Sequence, residues 1–460
     1  MKNIIKIISL LAVFVMVAAC LAGCNANTEP DNTNAATEAV TESNTVAAEK
    51  SNIDYAGSVK LDMSSDTAKQ EVTVKLFVDG DTTHFNVPKS IVDTGVLKAR
   101  YLAINTPEST GKIEEYGKTA SDFTRSKLEN AVSIVIESDT SKWEVDSTGG
   151  RYLAWVWYKP AEGEDYRNLN IEILQNGLAI ASNSANNRYG STCVSAIAQA
   201  KANKFYVYSG QPDPDFFYGS AVELTLKELR ANIGSYTGIK VAFTGVITVN
   251  DNNTIYVEQY DSETDMYYGI SVYLGYNLQG DGLDIVSVGN EARIVGTVQF
   301  YEAGGTYQVS GLSYRKMKPD DPDNLKKISE NNSPAYKLIT AEQFKDGKVE
   351  LVVNIDGEEK LKSFDFAAMA LATSVEMKNL TVKDVYTTEE GSSKGAMTLT
   401  CEVDGKTVSV RTAVLYDADG KLLTAEDFMG KNIDVKGIID FYDGGYQIKV
   451  FTVKNITVNN

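Results

Sequence analysis

The chain of 460 residues is poor in histidine and cysteine. Its single histidine, His84, excludes a serine-histidine triad at any other position, and its place next to a turn predicts a surface residue. Of the four cysteines, only Cys193 and Cys401 lie beyond the N-terminal apolar region. Because the sequence places these two in different domains, we expect two buried single thiols. A disulfide framework is not expected, and a cysteine metal cluster still less.

Positive charge is also scarce. The chain has 44 Lys and Arg against 62 Asp and Glu, which gives a net charge of −18. A polyanion such as nucleic acid is bound mainly through basic side chains, so the excess of acidic residues argues against a nucleic-acid partner. The deficit is uneven, however, because residues 69–210 hold 16 Lys and Arg and 17 Asp and Glu, a net charge of only −1. A local focus of positive charge is compatible with that region.

The first 24 residues have the order of a bacterial lipoprotein signal peptide. Lys2 and Lys6 precede an apolar run from Ile7 to Ala19, and Leu21-Ala-Gly-Cys24 matches the lipobox. Cleavage would leave a lipidated Cys24, which predicts an exported lipoprotein anchored by its lipid to the extracellular face of the cell membrane. The alternatives are a plain cleaved signal and a membrane anchor, but a spanning helix needs about 20 apolar residues and this run is shorter.

Residues 25–55 are poor in large apolar side chains and cannot build a core. They predict a flexible tether that lets the folded part stand off the membrane. The hydrophobic content of 43% is sufficient for ordinary cores, and the chain length predicts about three domains at roughly 150 residues each.

Four polar residues lie at short separations after this tether. Asp81 stands in the turn Asp-Gly-Asp-Thr, and Arg100, Asn105 and Glu108 stand in the block that ends in Asn-Thr-Pro-Glu. Hydrolysis of a phosphodiester needs a hard cation or guanidinium groups on the phosphate and a base that generates the attacking water. These are the right residue types. Taken singly they are commonplace, since both short motifs are also ordinary turns and strand exits.

The order of the surrounding elements favours a site for phosphodiester hydrolysis over ordinary turns. Val72, Val74 and Leu76 alternate as a strand that leads into the Asp-Gly turn, and residues 115–130 predict a helix. A second arginine follows in Gly-Gly-Arg151-Tyr-Leu-Ala. Several motifs thus occur in one order, which is more specific than any of them alone.

This succession resembles the micrococcal nuclease, or thermonuclease, family from about Val72 to Ser209. The resemblance also rests on Asn170, on Leu-Gln-Asn-Gly-Leu-Ala at residues 174–179, and on a final helix at residues 196–204. It implies an OB-type β-barrel with helices over residues 68–210. It further implies a DNA and RNA endonuclease that leaves 3′-phosphates.

The resemblance also implies the roles of the site residues. Calcium would be held by Asp81, Asn105 and the backbone carbonyl of Thr106. Glu108 would be the general base. The guanidinium groups of two arginines would grip the scissile phosphate and stabilise the five-coordinate transition state; these are Arg100 and Arg151.

Two departures from the family pattern affect these expectations. Many members have aspartate in place of Asn105, and an amide oxygen can ligate calcium but removes one negative charge, so we expect weaker calcium binding. In addition, residues 180–188 lack the tyrosines that often pack against the nucleotide in the family.

Beyond residue 210 the sequence predicts β-structure with a duplicated module. Gly296-Thr-Val-Gln-Phe-Tyr parallels Gly437-Ile-Ile-Asp-Phe-Tyr, and each segment continues through a glycine hairpin into a returning strand. Short strands with interior glycines are typical of small barrels and resemble the OB-fold modules of some secreted bacterial nucleases. The predicted fold class is therefore mainly β with some α. The predicted boundaries are 222–318 for one module, 319–334 for a linker, and 335–460 for a second module with an unassigned N-terminal part.

Tyrosines in the first of these modules are candidates for stacking bases of a single strand, namely Tyr256, Tyr260 and Tyr273. The alternative is that they are ordinary strand residues in acidic modules with a structural or protein-binding role. The leading hypothesis for the whole chain is a surface-tethered, calcium-dependent nuclease that acts on DNA and RNA. The alternatives are a catalytically weak or inactive nucleic-acid-binding lipoprotein and a surface protein whose modules bind another protein.

Overall fold

The computed structural model describes residues 51–459 except 276, 277, 279, 356 and 357. The predicted signal peptide, the lipidated Cys24 and most of the predicted tether lie outside these residues. In the described part of the chain, no helix is long and apolar enough to cross a membrane. The fold is mainly β and contains three sheets that close as five-stranded barrels, which confirms the predicted fold class. The three barrels belong to one compact unit.

The first barrel carries four helices. Its strands are β1 (Lys69–Asp79), β2 (Thr82–Asn86), β3 (Val96–Tyr101), β4 (Ile104–Asn105), β5 (Ser133–Glu137), β6 (Tyr152–Lys159), β7 (Arg167–Asn168) and β8 (Ile180–Ala181). Its helices are α1 (Tyr55–Ser58), α2 (Gly117–Glu129), α3 (Leu169–Gln175) and α4 (Gly190–Asn203), followed by a 3-10 turn at Tyr206–Tyr208.

The second barrel begins after a short connection. Its strands are β9 (Val222–Glu223), β10 (Lys240–Asp251), β11 (Thr254–Asp261), β12 (Met266–Tyr273), β13 (Glu291–Tyr301), β14 (Thr306–Ser310) and β15 (Lys326–Ser329). Its helices are α5 (Leu226–Ala231) and α6 (Asp281–Ile285), with a 3-10 turn at Ile233–Tyr236.

The third barrel ends the chain. Its strands are β16 (Lys337–Leu338), β17 (Lys348–Ile355), β18 (Glu358–Asp365), β19 (Ser374–Thr387), β20 (Met397–Val403), β21 (Lys406–Thr412), β22 (Asn432–Tyr442), β23 (Gly445–Val450) and β24 (Ile456–Asn459). Its helices are α7 (Ala341–Asp346) and α8 (Phe366–Met369), and 3-10 turns lie at Ala425–Asp427 and Val453–Asn455.

All three barrels share one strand order. If the five barrel strands are numbered along the chain, strand three pairs in parallel with strand five and strand four closes the barrel on strand one. The predicted duplication is visible in Gly296 and Gly437, which occupy the fourth strands of the second and third barrels. A Cβ atom at Gly296 would lie 2.6 Å from the Ser310 carbonyl oxygen, and one at Gly437 would lie 2.5 Å from that of Lys449. Both glycines therefore permit the same close strand crossing.

Two predicted boundaries differ from the structure, and the structure defines a third segment that the sequence left unassigned. Residues 51–55, predicted as the end of the tether, lie against α4, where the Ile53 N–H donates to the Gln199 side chain at 2.8 Å. The predicted linker 319–334 contains β15, which pairs with β13. The unassigned residues 335–375 form β16, α7, the hairpin β17–β18 and α8. Hydrogen bonds to distant residues, which leave no local pattern, make these segments part of the folded domains.

The second and third barrels share one continuous hydrophobic cluster, whereas the first barrel has its own. At the junction, the buried Glu258 carboxylate of β11 accepts hydrogen bonds from the Ser374 N–H at 2.7 Å and from the Ala335 N–H at 2.9 Å. A Cβ atom at Gly269 of β12 would lie 2.7 Å from the backbone of Ala372. The face formed by β11 and β12 is therefore packed against the third barrel.

Candidate functional site

Asp81 and Arg100 form the centre of the candidate site. Asp81 immediately precedes β2, and the register of β2 with β3 sets Thr82 opposite Arg100. This register brings the Arg100 guanidinium group into a salt bridge with the Asp81 carboxylate, whose side chain is 1% exposed. The Tyr101 N–H also donates to the Asp81 carbonyl oxygen at 2.9 Å, which ties the turn to the strand.

Asn105 and Thr106 approach the same pair from the end of β4. A second nitrogen of the Arg100 guanidinium group donates to the Asn105 amide oxygen at 2.5 Å. The Thr106 N–H donates to the other Asp81 carboxylate oxygen at 2.9 Å. The side-chain oxygens of Asp81 and Asn105 therefore converge on one cationic group.

Glu108 lies in the loop between β4 and α2, and its side chain is exposed. Its carbonyl oxygen accepts from the Glu114 N–H at 2.9 Å, and its own N–H donates to the Glu114 carboxylate at 3.2 Å. A Cβ atom at Gly117 would lie 2.1 Å from the Glu108 carbonyl oxygen. Only glycine therefore lets α2 begin so close to this loop.

Arg151 immediately precedes β6. Because β6 pairs in parallel with β3, with Leu153 opposite Arg100, the two arginines reach the same end of the barrel. The Arg151 Nε donates to the Asp146 carboxylate at 2.7 Å. Burial opposes the ionisation of Asp146, but hydrogen bonds from Thr148 and Arg151 outweigh it and lower the pKa of this carboxyl group to about 2. Asp146 is thus ionised at neutral pH and orients the Arg151 guanidinium group.

Mutual electrostatic effects connect these groups. Burial raises the pKa of Asp79, against the opposing positive charge of Arg100 and Arg151. Partial removal of water around the carboxylate raises the pKa of Glu108, and the negative charge of Asp79 adds to this shift. The arrangement places carboxylates and guanidinium groups in one site. Glu108 stays protonated up to a higher pH than an ordinary glutamate does.

The oxygen atoms of the site fit a hard divalent cation. In the described part of the chain, no group of three or more His, Cys, Asp or Glu side chains is placed to hold a metal. The predicted ligands are instead one carboxylate, one amide and one backbone carbonyl, all of them oxygen donors of the kind that calcium accepts. Asp81 and Asn105 already share a cation in the Arg100 guanidinium group. The nearby Asp79 carboxyl group has its pKa raised by burial, and a bound divalent cation would favour its ionised form.

The tyrosines predicted to stack bases do not form one platform. Tyr256 is 7% exposed, and its ring lies 5.6 Å from that of Phe451 in the third barrel, so it is not available to a nucleic acid. Tyr260 is 48% exposed, and its hydroxyl donates to Asp265 at 2.9 Å. Tyr273 is partly exposed at the end of β12. Strands two and three form the nucleic-acid-binding face in many OB folds, and here that face of the second barrel is covered.

Sequence reasoning did not assign functions to three residues that organise the site. Asp79 is a buried carboxyl group that interacts electrostatically with Arg100 and Arg151, and Asp146 orients Arg151. Asn170 is fully buried, and its amide donates to the carbonyl oxygens of Leu102 at 2.9 Å and Ala154 at 3.0 Å. Asp79 is the first residue of the Asp-Gly-Asp turn that contains Asp81, so its position can be recognised in the sequence. The partners of Asp146 and Asn170 follow only from the tertiary contacts.

Comparison with known proteins agrees with this geometry. Residues 98–208 match the family described as staphylococcal nuclease homologue. Over 121 residues, the chain is 32% identical to a thermonuclease from Staphylococcus intermedius, an alignment that covers 26% of this chain and 63% of that protein. The chain thus spans less than two thirds of the length of this relative. The matched family region includes Arg100, Glu108 and Arg151 and ends before the second barrel. Over residues 98–208, the first barrel of this chain is therefore similar to the staphylococcal nuclease family.

Proposed function

We propose that this chain is a calcium-dependent nuclease that hydrolyses phosphodiester bonds of DNA and RNA. The observation that carries the proposal is the convergence of Arg100, Arg151, Asp81 and Glu108 at one end of a family barrel. Two guanidinium groups beside a site for a hard cation match the charge of a phosphodiester. The identity to a thermonuclease supports the same reaction class.

Each residue of the site would have its own role in the reaction. Arg100 and Arg151 donate to the non-bridging phosphate oxygens, and the ion pair with Asp146 keeps Arg151 in position. Glu108 accepts a proton from water while the water oxygen attacks phosphorus and the bond to the 5′-oxygen breaks. The departing 5′-oxygen takes up a proton from solvent, so that the products are a 3′-phosphate and a 5′-hydroxyl group. Calcium bound by Asp81, Asn105 and the Thr106 carbonyl would supply Lewis-acid stabilisation of the phosphate charge.

This mechanism explains why both nucleic acids are expected substrates. The nucleophile is water, so the 2′-hydroxyl of RNA is not required for the reaction. Base-specific hydrogen bonds are not required either, since the residues assigned here act on the phosphate. The raised pKa of Glu108 brings the base closer to neutrality, where general-base catalysis is more efficient.

We further propose that the enzyme is tethered by lipid on Cys24 to the extracellular face of a bacterial membrane. The lipobox-like segment and the apolar run before it support this proposal. In cells that express the full chain, labelled palmitate is expected to be incorporated, and Cys24→Ser is expected to abolish the label. Equal labelling of both proteins would contradict lipidation at this residue.

Cleavage by protein that lacks residues 1–24 tests the enzymatic proposal. A fluorescent single-stranded DNA and an RNA of the same length should both be cleaved with calcium and remain intact with EDTA. We expect Glu108→Gln and Arg151→Ala to lower kcat at least about a hundredfold, as loss of a general base or an oxyanion-stabilising donor does. Glu164→Gln, which changes an exposed glutamate outside the site, is the matched control.

Absence of calcium-dependent cleavage by the folded wild-type protein would overturn the proposal. Gel-shift of the same oligonucleotides would then separate the alternatives. A retarded band that weakens with salt would indicate an inactive nucleic-acid-binding protein. No band would favour a protein-binding role.

A further inference from the structure

A cleft of about 690 Å³ opens beside the candidate active site, and Asn105 and Pro107 form part of its wall. Much of the rest of the wall comes from the start of α2 and from the segment after α4. The aromatic side chains that line it are Tyr116, Tyr206, Phe216 and Tyr218. The cleft is therefore continuous with the residues assigned to the metal and the phosphate.

The floor of the cleft is held in place by hydrogen bonds. Tyr116 is 8% exposed, and its hydroxyl donates to the Gln211 carbonyl oxygen at 2.8 Å. Its backbone N–H donates to the Asp213 carboxylate at 2.5 Å. The ring of Tyr206 meets the ring of Tyr116 edge to face at 5.9 Å. The chain that follows α4 is thereby fastened to the helix that follows Glu108.

The sides of the cleft are exposed aromatic groups in defined positions. Tyr206 is 44% exposed and Tyr218 is 54% exposed. Phe216 packs edge to face on Tyr218 at 4.9 Å, and the Tyr218 hydroxyl accepts from the Asp213 N–H at 2.8 Å. Exposed rings held in this way lose little freedom when a flat ligand stacks on them.

The charge of the cleft selects among flat ligands. Lys112 is its one basic side chain, whereas Glu114 and Glu115 are acidic. A phosphate backbone is repelled by this balance, but an uncharged base is not. Stacking on aromatic rings also requires an unpaired base, because the bases of a duplex are covered on both faces.

We propose that this cleft binds an unpaired base of the strand whose phosphate is held by Arg100 and Arg151. It would be a subsite for single-stranded nucleic acid, supplied by residues 206–218. In this chain the segment 180–188 lacks the tyrosines expected to pack against the nucleotide, and the cleft offers aromatic surface at a different place. The contact of Arg100 and Arg151 with the phosphate of this strand rests on the proposed function, whereas the binding of a base by the aromatic cleft does not.

The test uses the chain without residues 1–24, with Tyr206 and Tyr218 changed to alanine singly and together. For a single-stranded DNA 12-mer we expect KM to rise roughly tenfold in the double variant, as loss of base stacking predicts, with kcat nearly unchanged. Cleavage of a duplex of the same sequence should not change. Tyr206→Phe keeps the ring and its edge-to-face contact with Tyr116, and it should retain the wild-type KM.

Tyr442→Ala is the matched control, because Tyr442 is 64% exposed on the third barrel. Circular dichroism and thermal unfolding establish that each variant is folded. Active, folded variants with an unchanged KM for the single strand would overturn the subsite while the nuclease proposal stands.

Binding of the labelled 12-mer, followed by fluorescence anisotropy in EDTA, separates the two proposals. If wild-type protein binds and does not cleave under any metal condition, the nuclease proposal fails. Weaker binding by the double alanine variant than by Tyr442→Ala would then still support the subsite. Equal binding by the two, or no binding by wild-type protein, would overturn it.

Discussion

Ser310 of the second barrel donates a hydrogen bond of 2.8 Å to the carbonyl oxygen of Gly111, three residues after Glu108. Gln299 adds a weaker bond of 3.3 Å to the same oxygen. A Cβ atom at Gly311 would lie 3.2 Å from it, so the two backbones are close. The loop that carries the candidate general base is thus anchored on one side by the second barrel.

We predict that Ser310→Ala lowers kcat/KM about fivefold, because loss of one hydrogen bond of about 1 kcal/mol loosens the loop that positions Glu108. Steady-state kinetics on a single-stranded substrate measures the effect. Hydrogen exchange should also become faster in residues 109–114.

Ser313→Ala is the control for this change. Ser313 lies in the same barrel and donates to the Asp323 carbonyl oxygen at 3.3 Å, without contact to the first barrel through that hydroxyl. Equal kinetics for the two variants would show that the second barrel does not position the loop.

Asn105→Asp is expected to strengthen calcium binding, because it adds one negative charge to a ligand set with a single carboxylate. The calcium concentration for half-maximal activity should fall about tenfold, which corresponds to about 1.4 kcal/mol. The calcium-dependent rise in melting temperature should reach saturation at a correspondingly lower concentration.

Asn252→Asp adds the same charge at an exposed turn of the second barrel and should leave both measurements unchanged. If Asn105→Asp shifts neither calcium titration, Asn105 is not a ligand.

The pH dependence of kcat/KM should reflect the raised pKa of Glu108. A general base acts when it is deprotonated, so activity should be lost as pH falls through this pKa, at a higher pH than for an ordinary glutamate. The negative charge of Glu114 contributes to the upward shift. Glu114→Gln should therefore move the acid limb of the profile to lower pH.

Glu115→Gln, which changes the neighbouring exposed glutamate, serves as the comparison in this experiment. An acid limb that is identical in wild-type protein and Glu114→Gln would mean that a different group titrates.

Glu258→Ala is expected to destabilise the junction of the second and third barrels by about 2–4 kcal/mol, because it leaves buried donors at Ser374 and Ala335 without an acceptor. Urea unfolding, monitored by far-UV circular dichroism, measures the loss of stability. This signal reports on the backbone and does not depend on the position of the tryptophans. Limited proteolysis should also cut faster between the two barrels.

Glu263→Ala removes an exposed ion pair with Lys227 in the same barrel and should change stability by less than about 1 kcal/mol. A similar loss of stability in both variants would contradict the role assigned to the buried carboxylate.

Part of this architecture could be predicted because its determinants are local. The duplicated glycine hairpins around Gly296 and Gly437 specify the strand crossing within a few residues, and both occur where the pattern places them. By contrast, β15 lies in the segment predicted as a linker from Pro319 and Pro322, and it pairs with β13 at the edge of the sheet. A strand of this kind is defined by its partner.

The candidate site shows the same division. The residue types at Asp81, Arg100, Asn105 and Glu108 predict phosphate chemistry only together with the order of the surrounding motifs and the resemblance to a nuclease family. The tyrosine prediction did not identify the stacking surface, because exposure depends on what packs against each ring. Tyr256 lies under the third barrel, whereas Tyr206 and Tyr218 remain exposed beside Asn105.

The sequence by itself determined the kinds of chemistry available, the repeated modules and the mainly β fold, because these depend on residue identity and short-range periodicity. Only the tertiary structure decided which groups meet. Barrel closure sets Arg151 beside Arg100 through the pairing of β3 with β6, and docking of the second barrel anchors the loop after Glu108 through Ser310. Such contacts join residues distant in the chain, and their free energy comes from packing and hydrogen bonds that no local pattern encodes.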